Sequence, residues 1–104
     1  MTLSELVKKQ AELKRKAEKA VEYYDGEFYG DAVRYYYEAF KLGYAMTSED
    51  RQRLKHAYEV KRKELKGLIE WTKREIKRGR SVDRSVADLE EEDKSLFEWY
   101  NAVK

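Results

Sequence analysis

The chain has 104 residues, with 23 Lys/Arg against 21 Asp/Glu for a net charge of +2, and it is 42% charged and 41% hydrophobic. This length allows one domain with a modest core, and the regular recurrence of Tyr, Trp, Phe, Leu and Val removes the chain from the disordered class. The lack of cysteine excludes disulfides, zinc thiolate sites and thiol catalysis, and the lack of proline with only five glycines points to long unbroken helices.

The first helix is predicted over Leu3–Tyr24. Thr2 and Glu5 form a T-x-x-E capping box. Leu3, Leu6, Val7, Leu13, Ala17, Ala20, Val21 and Tyr24 recur at spacings of three and four and define its inward face. Asp25-Gly26 ends this helix, because glycine accepts the left-handed conformation of a helix stop. A second helix is predicted over Phe28–Met46, with Ala32, Tyr35, Tyr36, Ala39, Leu42, Gly43 and Met46 inward. Gly43 costs about 1 kcal/mol inside a helix, so it marks either a close crossing or an early end. Ser48, followed by Glu49 and Asp50, is the predicted N-cap of a third helix over Glu49–Arg78, stopped by Gly79. Its inward residues are Leu54, Ala57, Tyr58, Leu65, Leu68, Ile69, Thr72 and Ile76, and Lys61 interrupts the stripe. Residues 79–84 read as a linker. Ser85 or Asp83 then caps a fourth helix over Val86–Ala102, with a stripe of Val86, Leu89, Leu96, Phe97, Tyr100 and Val103, in which Asp93 takes an apolar place.

The fold class expected is therefore all-α. An antiparallel three-helix bundle occupies residues 1–80, and residues 81–104 supply a linker and an acidic amphipathic helix. No apolar run approaches the roughly 20 residues that span a bilayer, and MTLSELVKK holds no hydrophobic signal region. A cytoplasmic protein is expected, and the abundance of Lys, Arg and Glu resembles thermophile usage. Charge is unevenly spread. Residues 49–80 carry twelve Lys/Arg against six Asp/Glu, whereas residues 81–104 carry three against seven. Either these are two solvated faces, or the acidic segment packs across the basic helix, or the basic face meets an acidic partner.

Gly26, Tyr29 and the run AVRYYYEA at 32–39, with Ala32, Tyr36 and Ala39 in register, resemble the second helix of microtubule-interacting-and-transport (MIT) domains. RKELKGLIE at 62–70 is similar to the basic, leucine-containing end of that family's third helix. The resemblance covers about residues 3–78 and implies a three-helix bundle whose groove binds a short helical or extended segment. Tails of ESCRT-type filament proteins are the typical partners in that family. Tetratricopeptide hairpins share nearly the same glycine-tyrosine-alanine spacing. The present chain has one extra residue between Gly26 and Ala32, a long third helix and a fourth helix.

Three groups of residues carry candidate functions. Tyr35, Tyr36 and Tyr37 are consecutive and cannot share one helix face, so at least one is exposed or half exposed. They serve either as amphipathic packing or as an aromatic binding surface. The groove expected from this reading is built from Tyr36, Tyr37, Phe40, Leu65, Leu68 and Trp71. Lys73, Arg74, Lys77, Arg78 and Arg80 cluster at the end of the third helix. They offer nucleic-acid binding as an alternative, although cations also suit a helix C-terminus. Arg51 and His56 form an R-x4-H spacing that resembles HEPN-type ribonucleases, in which the pair acts on the scissile phosphate. The plain alternative is a surface histidine. Glu90, Glu91, Glu92 and Asp93 are consecutive and radiate around their helix, so they do not converge on a metal. No catalytic residue, metal or cofactor is expected. The fourth helix either belongs to the bundle or occupies a groove that a partner would otherwise fill. The sequence thus reads as a non-enzymatic interaction module that docks a partner helix or peptide.

Overall fold

The computed structural model describes residues 2–104, and all regular structure among them is helical. Helix α1 spans Leu3–Asp25, α2 Tyr29–Lys41, α3 Ser48–Lys77 and α4 Val86–Val103. None is long and apolar enough to cross a membrane.

Each start has a local cause. The Thr2 hydroxyl accepts from the Glu5 amide at 3.2 Å, and that of Ser85 from the Asp88 amide at 3.1 Å. The third helix is capped by Thr47 rather than Ser48. The Thr47 hydroxyl accepts from the Asp50 amide, and Asp50 Oδ2 accepts from the Thr47 amide, both at 3.0 Å. A reciprocal pair satisfies two free amides and moves the start back by one residue.

The first three helices end in the same way. The amide after the left-handed residue returns to a carbonyl five residues back: Phe28 to Tyr23 at 2.9 Å, Tyr44 to Ala39 at 3.0 Å and Arg80 to Glu75 at 2.9 Å. Gly43 (φ 101°) and Gly79 (φ 77°) hold the left-handed position in the second and third stops. The expectation for Gly26 needs correction: its φ is −82°, and Glu27 takes the left-handed conformation at φ 64°. Gly26 answers a steric demand instead, since a Cβ there would meet the Phe28 ring at 3.2 Å. Gly43 marks an early end, so α2 stops at Lys41 and not at Met46.

The short α2 shapes the molecule. It runs antiparallel to α1, with Lys16 on Glu38 at 2.9 Å and Tyr23 stacked on Tyr35 at 5.1 Å. Its other side lies on α3 and α4, with Gly30 against the stem of Lys61 and Tyr37 beside Trp99. α4 runs back along α3, where Tyr58 stacks on Tyr100 at 4.0 Å. The result is two hairpins, α1–α2 and α3–α4, sharing one core of Ala20, Ala32, Val33, Tyr36, Leu54, Ala57, Leu65, Leu89, Leu96 and Val103. They are offset lengthwise, and the molecule extends 60 × 26 × 22 Å.

The offset corrects the burial expected at both ends. Leu3, Leu6 and Val7 are 79%, 44% and 61% exposed, because α2 ends before it reaches them. Ile76, near the far end of α3, is 49% exposed. Asp93 and Lys61, which break the apolar stripes, form ion pairs between α3 and α4: Lys61 with Glu92 at 3.7 Å and Arg62 with Asp93 at 3.9 Å. The acidic fourth helix therefore does pack across the basic third.

Candidate functional site

The groove residues expected from sequence divide into three sets. Tyr36 and Leu65 are 0% and 1% exposed and belong to the core. Tyr37 is half-buried beside Trp99, with Lys41 Nζ 5.3 Å from its ring centroid. Phe40 is exposed on the last turn of α2, and Leu68 and Trp71 lie farther along α3, Leu68 half-buried and Trp71 47% exposed. The six do not form one surface. Tyr36 and Leu65 turn inward because α2, α3 and α4 converge on them.

Two cavities lie in sequence along α3 and α4. The first, about 380 Å³, opens at the start of α2. Leu65 and Leu96 form its floor, Phe28 and Trp99 its walls, and Glu27, Asp31, Glu64 and Glu92 outnumber Arg34 and Lys61 among its charges. The second, about 210 Å³, lies between Leu68, Trp71 and Thr72 of α3, Leu89 of α4 and the linker at Val82. Residues 61, 65, 68 and 72 share one face of α3, and residues 99, 96, 92 and 89 share one face of α4. The cavities thus follow one another along a single trough, with the Arg84–Glu92 ion pair at 2.6 Å between them. α2 closes one end with its first turn and the trough runs on past it, because α3 continues to Lys77 while α2 begins only at Tyr29.

The closed end is unusual locally. Phe28 precedes α2 without any side-chain cap, and Glu27 beside it carries the left-handed strain. Phe28 itself is 61% exposed, its ring edge-on to Tyr23 at 6.0 Å. An exposed aromatic, a strained residue and an apolar floor therefore meet where the trough begins. The groove expected from sequence did not include Phe28, Leu96 or Trp99, although Leu96 stood in the predicted stripe of the fourth helix and Phe28 lies beside the Asp25-Gly26 turn.

A second polar centre is structural. Asp50 is 3% exposed, and its carboxylate accepts from Tyr36 at 2.9 Å, Tyr44 at 2.6 Å and the Thr47 amide at 3.0 Å, with Arg53 at 3.3 Å. Burial works to raise the Asp50 carboxyl, but the hydrogen bonds from Tyr44, Thr47 and Tyr36 outweigh it and hold the carboxyl below its ordinary range. The Tyr44 hydroxyl is pushed up to about 12, first by its hydrogen bond to Asp50 and then by burial. Burial, with the same carboxylate, raises Tyr36 as well. All five residues are consumed in joining α2, the following loop and α3.

The structure does not bring Arg51 and His56 together. Arg51 donates to the Val103 carbonyl at 3.4 Å on α4, whereas His56 Nδ1 lies 2.7 Å from the Tyr24 hydroxyl on α1. Residues five apart on a helix point about 140° from each other. In the basic run, Arg78 and Arg80 pair with Glu75 at 3.6 and 3.2 Å, and Glu75 is 7% exposed. Lys73, Arg74 and Lys77 form no ion pair among the described residues. No family model, curated protein or solved structure matches the chain significantly.

Proposed function

We propose that this chain is a non-enzymatic module that docks a helical segment in the trough of α3 and α4. The carrying observation is the mismatch in length between the hairpins. α2 covers the α3–α4 seam only as far as Lys61 and Leu65, and the two cavities continue its track along the same faces. A helix laid there would continue the line of α2 and cover Phe28 and Trp71. Leu65, Leu68 and Trp71 of the expected groove line this trough. The MIT-like run at residues 26–39 supports the same reading, and ESCRT-type filament tails are the partner class that this resemblance implies. α4 is a fixed wall in this reading, because Leu89, Leu96 and Val103 are at most 3% exposed.

The test is capture of partners from the native cell by the full chain and by Trp71→Ala, with helicity checked by circular dichroism. Loss of at least about tenfold in a captured protein partner, with unchanged helicity, is the expected outcome. Capture indifferent to Trp71 rejects the trough. Retention of nucleic acid that weakens steeply with salt and depends on Lys73, Arg74 and Lys77 would favour the alternative reading, in which those three unpaired cations do the binding.

A further inference from the structure

We infer that the trough receives the projecting start of α1 from a second copy of this chain, so that copies associate head to tail. This inference rests on the trough being a helix-docking groove, and it names the occupant. At one end of the molecule a helix lacks a neighbour, and at the other a pair of helices lacks a third. Leu3–Glu12 run beyond α2 for roughly 15 Å at 1.5 Å per residue, and the trough from Lys61 to Thr72 is roughly 17 Å long.

The projecting turns continue the seam that α1 already uses. Leu13, Ala17 and Ala20 are buried on that face, and Leu3, Leu6 and Gln10 extend it at the same three-and-four spacing with Val7 alongside. Leu3, Leu6 and Val7 are the exposed apolar residues of this segment.

Electrostatics orient the insertion. The first turn of α2 closes the trough at one end, so the second copy lies along the trough with Leu3 at that end and the linker residues 81–84 beside its later turns. The positive N-terminal end of its α1 then arrives beside Glu27, which forms no ion pair among the described residues, whereas Glu64 and Glu92 are already paired with Lys61 and Arg84. Leu3 comes to lie between Phe28 and Trp99, above the buried Leu65 and Leu96, and Leu6 and Val7 meet Leu68 and Trp71. Lys8 stays on the solvent side of the incoming helix.

Donor and acceptor surfaces lie toward opposite ends of a molecule 60 Å long, so the contact is heterologous. Such contacts propagate into filaments or close into rings, and they do not stop at a symmetric pair.

Sedimentation velocity of the full chain over a wide concentration range tests this. The expected result is a mass that rises past two copies. The double variant Leu6→Asp/Val7→Asp removes the inserted helix, and Trp71→Ala weakens the receiving trough. Each should remain monomeric with unchanged helicity, and an equimolar mixture of the two should form pairs and nothing larger. Both substituted surfaces are exposed, so folding should survive. Should either variant unfold, a synthetic peptide of residues 2–13 that shifts tryptophan emission of the unaltered chain supports the contact, and one that leaves emission unchanged overturns it.

A monomer at every concentration overturns the inference. So does a mass that stops at two copies and ignores Trp71→Ala, which would mean symmetric α1 pairing, or a monomer that binds anionic vesicles through Leu6 and Val7. If a partner from the cell still depends on Trp71 while the chain remains monomeric, the groove survives and only self-docking fails.

Discussion

In the α1–α2 hairpin the buried contacts are mostly small. Ala17, Ala20, Ala32 and Ala39 are at most 6% exposed, and tyrosine rings close the flanks. In the α3–α4 hairpin the contacts are large and charged. Leu65, Leu89 and Leu96 fill the seam, and Lys61, Arg62, Arg84, Glu92 and Asp93 line its edges. The first arrangement brings two backbones close and has no room for growth. The second keeps the helices apart on bulky side chains, which leaves room for a trough between Lys61 and the linker. Small seams suffer from enlargement and large seams from truncation.

This contrast is broken most directly at its two centres. Leu96→Ala should cost about 2–5 kcal/mol in urea unfolding, with the α4 amides losing hydrogen-exchange protection first. Ala39→Leu should cost about 1–3 kcal/mol through overpacking. A neutral Ala39→Leu would mean that the first seam is looser than its alanines indicate.

The joint between the hairpins comes next. Asp50→Ala leaves the buried Tyr36 hydroxyl without its acceptor and should cost about 1–3 kcal/mol. The pH dependence has two arms. The Asp50 carboxyl is depressed in the folded state, so its contribution is present above the unfolded value of about 3.9 and is lost as pH falls through the lower folded value. The Tyr44 hydroxyl is raised to about 12, so its contribution is complete below about 10 and disappears as pH climbs toward 12. Thermal unfolding against pH should show both declines, and Asp50→Asn should flatten them.

Two smaller effects sharpen the comparison. Glu27→Gly should stabilise the first hairpin by about 1 kcal/mol, since the second and third helix stops already place glycine in that conformation. The same change would weaken the trough if the Glu27 carboxylate attracts an incoming helix end. Asp93→Leu should move stability by less than about 1 kcal/mol. Its pairing with Arg62 is long at 3.9 Å, and Asp93 Oδ1 and Arg62 Nε lack hydrogen-bond partners, so little is lost with the charge. A larger loss in denaturant titration would show that ion pairs, not leucines, hold α4.

How far these features could be read in advance follows the range of the forces behind them. The number of helices and their order follow from periodicity, and the start at Thr2 from hydrogen bonds within three residues, so these were legible. So was the burial of Ala32 and Ala39, which follows from periodicity alone. The fourth start was narrowed to Ser85 or Asp83, and Ser85 is the cap. The Thr47 start and the Glu27 conformation lay one residue from their expected places, because neighbouring residues compete for the same role. The groove was half legible. Leu65 and Leu68 follow from the stripe of α3 and Leu96 from that of α4, but Phe28, Trp71 and Trp99 lie outside the stripes, and the alignment that brings them together leaves no local trace.

By itself the sequence determined that the chain forms four amphipathic helices and where three of them stop, because capping, periodicity and glycine geometry act over a few residues. Tertiary structure alone decided how far one hairpin slides along the other. That offset is a balance of contacts between residues distant in sequence, from Tyr36 on Asp50 to Gly30 on Lys61. It leaves Leu3, Leu6 and Val7 in water and leaves the outer side of the α3–α4 seam uncovered beyond the reach of α2.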